Sequence, residues 1–296
     1  MKPATTKSFG IIGLMILFAC EKDITIKPQA YESKPSIQCL LTPNTIPKLY
    51  LFKTIPYFDT QQSYNDLFIR DANVIITSSL GSDVLFPDST LNEFYCKYDY
   101  FYKGSQLTQK NITYHLKIEY AGKTYSANTS TNQSVVQLDS VTYIEQFQDI
   151  YGEHEGIVSH FTDDPSMDNY YRFEMHRMVD SSTTDVNDFH SCSGAEFVSI
   201  TEIGRTIYSA VNQNGLPMSY VIEPAYKHNE DDVAYIFLQS CDENMFEFYD
   251  KLDKQRLAQA NPFAEPVFIN SSQFADAVGV FGSYALSDSV NFIFPE

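Results

Sequence analysis

Residues Ile112-Thr113-Tyr114-His115-Leu116-Lys117-Ile118-Glu119-Tyr120 alternate apolar and polar without error, the pattern of a strand with one face buried and one in water. Ala121-Gly122-Lys123 is a turn, and Tyr125 and Ala127 resume the inward phase, which predicts a hairpin. Val74–Thr77 and Val84–Phe86 flank Leu80-Gly81-Ser82 in the same way, and Ser36–Leu41 and Lys48–Thr54 add short strands punctuated by Pro and Asn. This cadence predicts a β-sandwich over residues 32–134.

The stretch from Ser126 to Ser134 (SANTSTNQS) has one small apolar residue in nine and places a domain boundary at its end. Beyond it, Ser140–Phe147, Ile157–Phe161, Tyr170–Val179, Phe197–Ile203, Thr206–Val211, Ser219–Ile222 and Val233–Gln239 read as strands of a second sandwich over 135–296, with a turn at Asn214-Gly215. One helix is expected over 241–259: Ser240 and Glu243 have capping-box spacing, and Met245, Phe248, Tyr249 and Leu252 form one stripe. Asn261-Pro262 stops it, and it is expected to lie on the second sandwich. The fold class is therefore all-β, two sandwiches of immunoglobulin-like type with one packed helix.

The amino terminus breaks this pattern. Lys2 and Lys7 precede an apolar run, Phe9–Phe18, of about ten residues, half of what a membrane-spanning helix needs. It ends in Leu17-Phe18-Ala19-Cys20, the arrangement of a bacterial lipobox, with a bulky Phe18 where smaller residues are commoner. Residues 1–19 are expected to be a lipoprotein signal peptide, Cys20 the acylated residue that holds the chain to a lipid bilayer, and 20–31 a tether.

Composition sharpens this picture. The 296 residues carry 20 basic against 38 acidic side chains, a net charge of −18 that becomes −20 once the two lysines of the signal are removed. Nucleic acid is excluded as a partner, because phosphate binding depends on a cationic surface. An apolar fraction of 43% excludes disorder, and 21 Tyr and 22 Phe with no Trp fit half-buried strands. In an oxidising compartment, Cys39, Cys96, Cys192 and Cys241 can form disulfides. Chain proximity favours Cys39 with Cys96 and Cys192 with Cys241, the alternative being that some are simply small buried apolar residues.

Little in the sequence carries chemistry. There is no GxSxG, P-loop, GxGxxG or HExxH. His154-Glu155 followed by His160 has the wrong spacing for a helical zinc site, and no catalytic residue or cofactor is expected. Asp163, Asp164 and Asp168 form an acidic loop with oxygen ligands suited to a hard cation, or, more simply, a solvated turn with Asp caps. Ser89, Ser140 and Ser289 each follow Asp and precede Thr or Val, the three-residue acceptor pattern of Bacteroidota O-glycosylation. Six aromatics fall between Phe94 and Tyr102, too many for one core, so Tyr95, Tyr98, Tyr100 and Tyr102 are candidates for a partner surface.

The landmarks taken in order resemble a known family. They are the lipobox, a strand beginning at Pro35, Pro56-Tyr57-Phe58-Asp59, Asp71-Ala72-Asn73-Val74, Gly122 with Tyr125-Ser126-Ala127, Asp139-Ser140-Val141, Phe161-Thr162-Asp163-Asp164-Pro165 with Asn169-Tyr170-Tyr171-Arg172, and Gly279-Val280-Phe281-Gly282. Together they resemble the Bacteroidota lipoproteins grouped as domain of unknown function 4249, often encoded beside TonB-dependent outer-membrane transporters. Glu21-Lys22-Asp23 also resembles the short signals that send such lipoproteins to the cell surface. The resemblance transfers no catalytic residue. It implies an outer-membrane, lipid-anchored location and a TonB-dependent barrel as partner. The expected function is a non-enzymatic accessory or substrate-capture subunit of that transporter. The alternatives are a surface hydrolase of glycan or peptide and an adhesin or envelope-structural subunit.

Overall fold

Strands dominate the structure, a computed structural model that describes residues 31–56, 63–149, 152–180, 196–260, 267, 269 and 273–295. The chain begins with β1 (Pro35–Leu41), β2 (Lys48–Lys53), a helical turn α1 (Tyr64–Leu67), β3 (Asn73–Ser78) and β4 (Gly81–Asn92). It continues through β5 (Lys97–Lys103), β6 (Thr113–Tyr120), β7 (Lys123–Ser130), β8 (Leu138–Asp149), β9 (Gly152–Thr162) and β10 (Tyr170–Asp180). The remaining elements are β11 (Phe197–Ile203), β12 (Tyr208–Ser209), β13 (Pro217–Ile222), β14 (Val233–Cys241), α2 (Glu243–Ala260), β15 (Val278–Leu286) and β16 (Val290–Ile293). The fold is mostly β and sandwich-like, as the alternation predicts.

Thirteen strands make one sheet in the order β11-β10-β14-β15-β1-β2-β5-β4-β3-β6-β7, with β12 beside β10 and β16 beside β14; β13-β9-β8 form a second sheet. The large sheet runs through both strand sets. Its centre is the parallel pairing of β1 with β15, from Ser36 opposite Val278 to Leu41 opposite Ser283. Gly279 makes this approach possible: at φ +144 its missing Cβ would fall 1.7 Å from the Ile37 carbonyl oxygen. Residues 33–296 accordingly form one compact unit.

Two main cores result. One gathers Ile37, Leu49, Leu51, Val74, Ile76, Leu116, Ile118 and Tyr102 inside the curl of β1–β7. The other lies between the small sheet and β10, β14 and β16, around Ile157, Phe161, Tyr171, Met175, Ile236 and Leu238. The helix α2 forms a third cluster on the outer face of the large sheet, where Met245 and Tyr249 meet Cys241, Val280, Leu40 and Tyr170. It thus lies across strands of both sets, with Tyr249 taking a hydrogen bond from Gln38 of β1 and sitting under the Arg172 guanidinium of β10.

The capping box expected at Ser240 is not formed. Ser240 is the buried penultimate residue of β14, and Asp242 caps α2 by accepting from the Met245 amide at 2.9 Å. The strand needs Ser240 for its ladder, so the cap moves two residues on.

Among the described residues, the last edge of the first strand set, the outer side of β7, has no backbone partner strand. The outer carbonyls of β7 accept side-chain donors instead. Asn128 receives Asn244 and Gln273 at 3.1 Å each, and Ser130 receives Ser283 at 2.8 Å and Gln133 at 3.0 Å. At the middle of this seam the Asp242 carboxylate accepts from Thr129 of β7 at 2.6 Å and from Ser283 of β15 at 3.4 Å. An edge that would otherwise recruit another strand is thereby covered.

Candidate functional site

The cysteine pairing expected from chain proximity is corrected by the structure. Cys39 faces inward on β1 in the first core, Cys241 lies under α2, and both are free, buried thiols whose pKa is pushed up by burial. They fill apolar positions, the role a small polarisable side chain plays in a core. Cys96 is disulfide-bonded, to a partner other than either of them. Cys192, like Cys20 and the whole of 1–30, lies outside the described residues.

Two of the three carboxylates of the acidic loop are used internally. Asp163 is buried and accepts from Tyr171 Oη at 2.6 Å, Asn169 Nδ2 at 3.1 Å and the Gly215 amide at 3.3 Å. Burial and this carboxylate together hold the Tyr171 phenol far above its usual range. Asp164 accepts from the Ser166 amide at 2.8 Å, and Asp168 is exposed. Among the described residues no group of three or more His, Cys, Asp and Glu is arranged to hold a metal ion.

The four tyrosines expected at a partner surface separate into distinct environments. Tyr102 is fully buried, its hydroxyl accepting from the Ala72 amide at 3.1 Å. Tyr100 stacks on Phe68 with Arg70 over both rings. Tyr95 shares a 2.8 Å hydroxyl contact with Tyr226, while Phe94 beside it is buried against Val179, Val198 and Ile200. Only Tyr98 of the four is widely open, at 55% exposure, opposite Leu91 on β4. Ser89, Ser140 and Ser289 are all exposed.

One concavity among the described residues joins parts of the chain that the sequence keeps apart. An open cleft of about 650 Å³ lies between the β8–β9 hairpin and the loop 223–228. Glu155 stands at its wall, accepting from Tyr143 Oη at 2.5 Å and contacting His228 Nε2 at 2.9 Å. The Tyr143 bond, more than His228, holds the Glu155 carboxyl below its ordinary pKa, and in return raises Tyr143 to about 12. His154 Nδ1 lies 3.6 Å from Glu223, and the His228 ring stacks on Phe294 at 3.9 Å.

The loop is held rigidly from behind. Arg177, fully buried, donates to Glu202 at 2.6 Å and to the carbonyls of Tyr226 at 2.6 Å and Lys227 at 3.1 Å, while the other oxygen of Glu202 accepts the Ala225 amide at 2.6 Å. Glu155 and His228 are 73 residues apart, so no local motif could have paired them.

With this geometry in place, comparison with known families decides the lineage. Residues 21–289 match the family described as a domain of unknown function, DUF4249. The chain belongs to this family. No curated protein matches the sequence. The DUF4249 span takes in both sheets, α2, the cleft and the Tyr98 hairpin, and begins at the residue after Cys20. Among the described residues no helix is long and apolar enough to cross a membrane.

Proposed function

We propose that this DUF4249 protein is an outer-membrane lipoprotein, acylated at Cys20 and displayed at the cell surface. It serves as a non-enzymatic accessory or substrate-capture subunit of a TonB-dependent transporter. The observation that carries the reading is the junction at Cys20. A basic, short apolar leader ends in Leu17-Phe18-Ala19-Cys20, and the family span starts at the next residue. The acidic body then serves as a soluble head on a lipid tether. The cleft at Glu155 and His228, with its loop pre-set by Arg177, suits capture of a polar ligand, since little has to be ordered on binding. The exposure of Ser89, Ser140 and Ser289 supports reading them as glycan acceptors.

The test has two arms. Cys20→Ser should move the chain from the membrane to the soluble fraction. Affinity purification of the parent from detergent-solubilised outer membranes should recover a barrel protein; recovery of the lipoprotein alone in several mild detergents overturns the transporter reading. A surface hydrolase is the second reading, favoured by the Glu155 carboxylate and the His228 imidazole, 2.9 Å apart at the cleft wall, a pair between which a proton can pass. Loss of a glycan- or peptide-cleaving activity on Glu155→Gln would establish it.

A further inference from the structure

The outer face of the large sheet is covered at one end and bare at the other. The helix α2 shields the cross-strand rows Tyr170–Cys241 and Arg172–Gln239. Past the helix the same face carries no further layer among the described residues. Val233 (41%) stands opposite Ile293 (60%), and Met178 (49%), one step beyond the Arg177–Ala234 pair, extends this apolar row on β10, with Ser199 ending it on β11. Tyr235 (46%) and Phe237 stand behind that row, and Phe197 (48%) lies beside it on β11. The opposite faces of these strands bury Met175, Val179, Ala234, Ile236 and Phe292, so the exposure is not a matter of frayed strands.

The bare rows carry no lysine or arginine, and their single carboxylate, Glu174, is engaged by His176 at 2.6 Å and Gln239 at 2.7 Å. Around the end of the face the chemistry changes. Asp180 closes β10, Glu196 precedes β11, and Glu230-Asp231-Asp232 leads into β14, all at the edge where Met178, Val233 and Ile293 lie. An exposed apolar row with an acidic border is the anatomy of an interface rather than of a solvated sheet face.

We infer that the outer face of β11–β10–β14–β16 is a docking surface for another protein whose contact patch has an apolar centre and a lysine- or arginine-bearing rim. Charge complementarity selects this occupant. A second copy would set acidic border against acidic border, and an anionic bilayer would meet the same repulsion. The inference stands independently of the transporter reading, because it concerns the partner's chemistry and not its identity.

The experiment is site-specific photo-cross-linking in cells that make the full chain, with a benzophenone amino acid in place of Met178 or Ile293. The control position is Leu80 at a hairpin turn. The expected result is a cross-link from both patch positions to a peptide of another protein that contains Lys or Arg, at about ten times the Leu80 yield. Glu196→Lys with Glu230→Lys should lower that yield about tenfold, since rim charges govern encounter. An unfolding midpoint within about 2 °C of the parent separates lost docking from lost fold. Cross-linking to a second copy or to lipid, a yield no higher than at Leu80, or a yield indifferent to the charge reversal would each overturn the inference. Failure to purify a barrel bears on the transporter reading and leaves this result unchanged.

Discussion

The seam along β7 and the loop over the cleft each bury a carboxylate, and they handle it in opposite ways. At the seam, Asp242 is surrounded by neutral donors from Thr129, Ser283 and the Met245 amide, and burial raises its pKa from the ordinary 3.8 to about 6. Behind the cleft, Glu202 meets the guanidinium of Arg177, and both partners also bind backbone of the loop. A carboxylate held by neutral dipoles can be satisfied in either protonation state, so it tolerates neutralisation. A paired charge cannot lose its partner without leaving the other stranded. The first arrangement is sensitive to pH and the second to mutation.

Breaking the second arrangement gives the largest expected effect. Arg177→Met leaves Glu202 buried without its cation and frees the carbonyls of Tyr226 and Lys227. A loss of about 3–5 kcal/mol is expected in denaturant unfolding. If the pair is instead neutral in worth, the double replacement Arg177→Met with Glu202→Leu should restore most of that loss.

The seam is probed by pH. Asp242 has a folded pKa above its unfolded value, so its contribution to stability is full below about pH 4 and declines as pH rises through about 6. Across that window the parent should lose roughly 2–3 kcal/mol relative to Asp242→Asn, which keeps the helix cap but does not titrate. Parallel pH profiles for the two chains would show that the carboxylate does not feel its burial.

Smaller effects sharpen the contrast. Gln273→Ala removes the donors that cover Asn128 and Phe281 and the acceptor for the Phe281 amide, so about 1–2 kcal/mol should be lost from the seam. Tyr98→Ser, at a position open to solvent, should stay within about 0.5 kcal/mol of the parent by the same measurement.

The hairpins were legible because their determinants are local. The alternation from Thr113 to Tyr120 and the turn at Ala121-Gly122, with φ of +50 and +76, form as their residues dictate. The cysteines misled because proximity along the chain says nothing about facing, and Cys39 follows the inward phase of Ile37 and Leu41. The cleft was invisible because its pairs join β9 to the loop after β13, with β10, β11 and β12 between them in sequence. The bare sheet face did leave a trace. Val233-Ala234-Tyr235-Ile236-Phe237-Leu238 is apolar on both parities, which a strand needs only where both faces are covered. Here one face is covered by the protein's own core and the other is left for a partner.

The parallel pairing of β1 with β15 also fixes the order of events during synthesis. Ser36 finds its neighbour only when Val278 exists, after more than nine-tenths of the chain has been made. Until then β1 has only β2 to pair with, and the central sheet cannot close. Non-local closure of this kind is slow. The central sheet of a nascent chain therefore stays open until the last tenth of the sequence appears, while the local hairpins are already able to form. Truncation before Val278 should leave β1 paired on one side only, with β2.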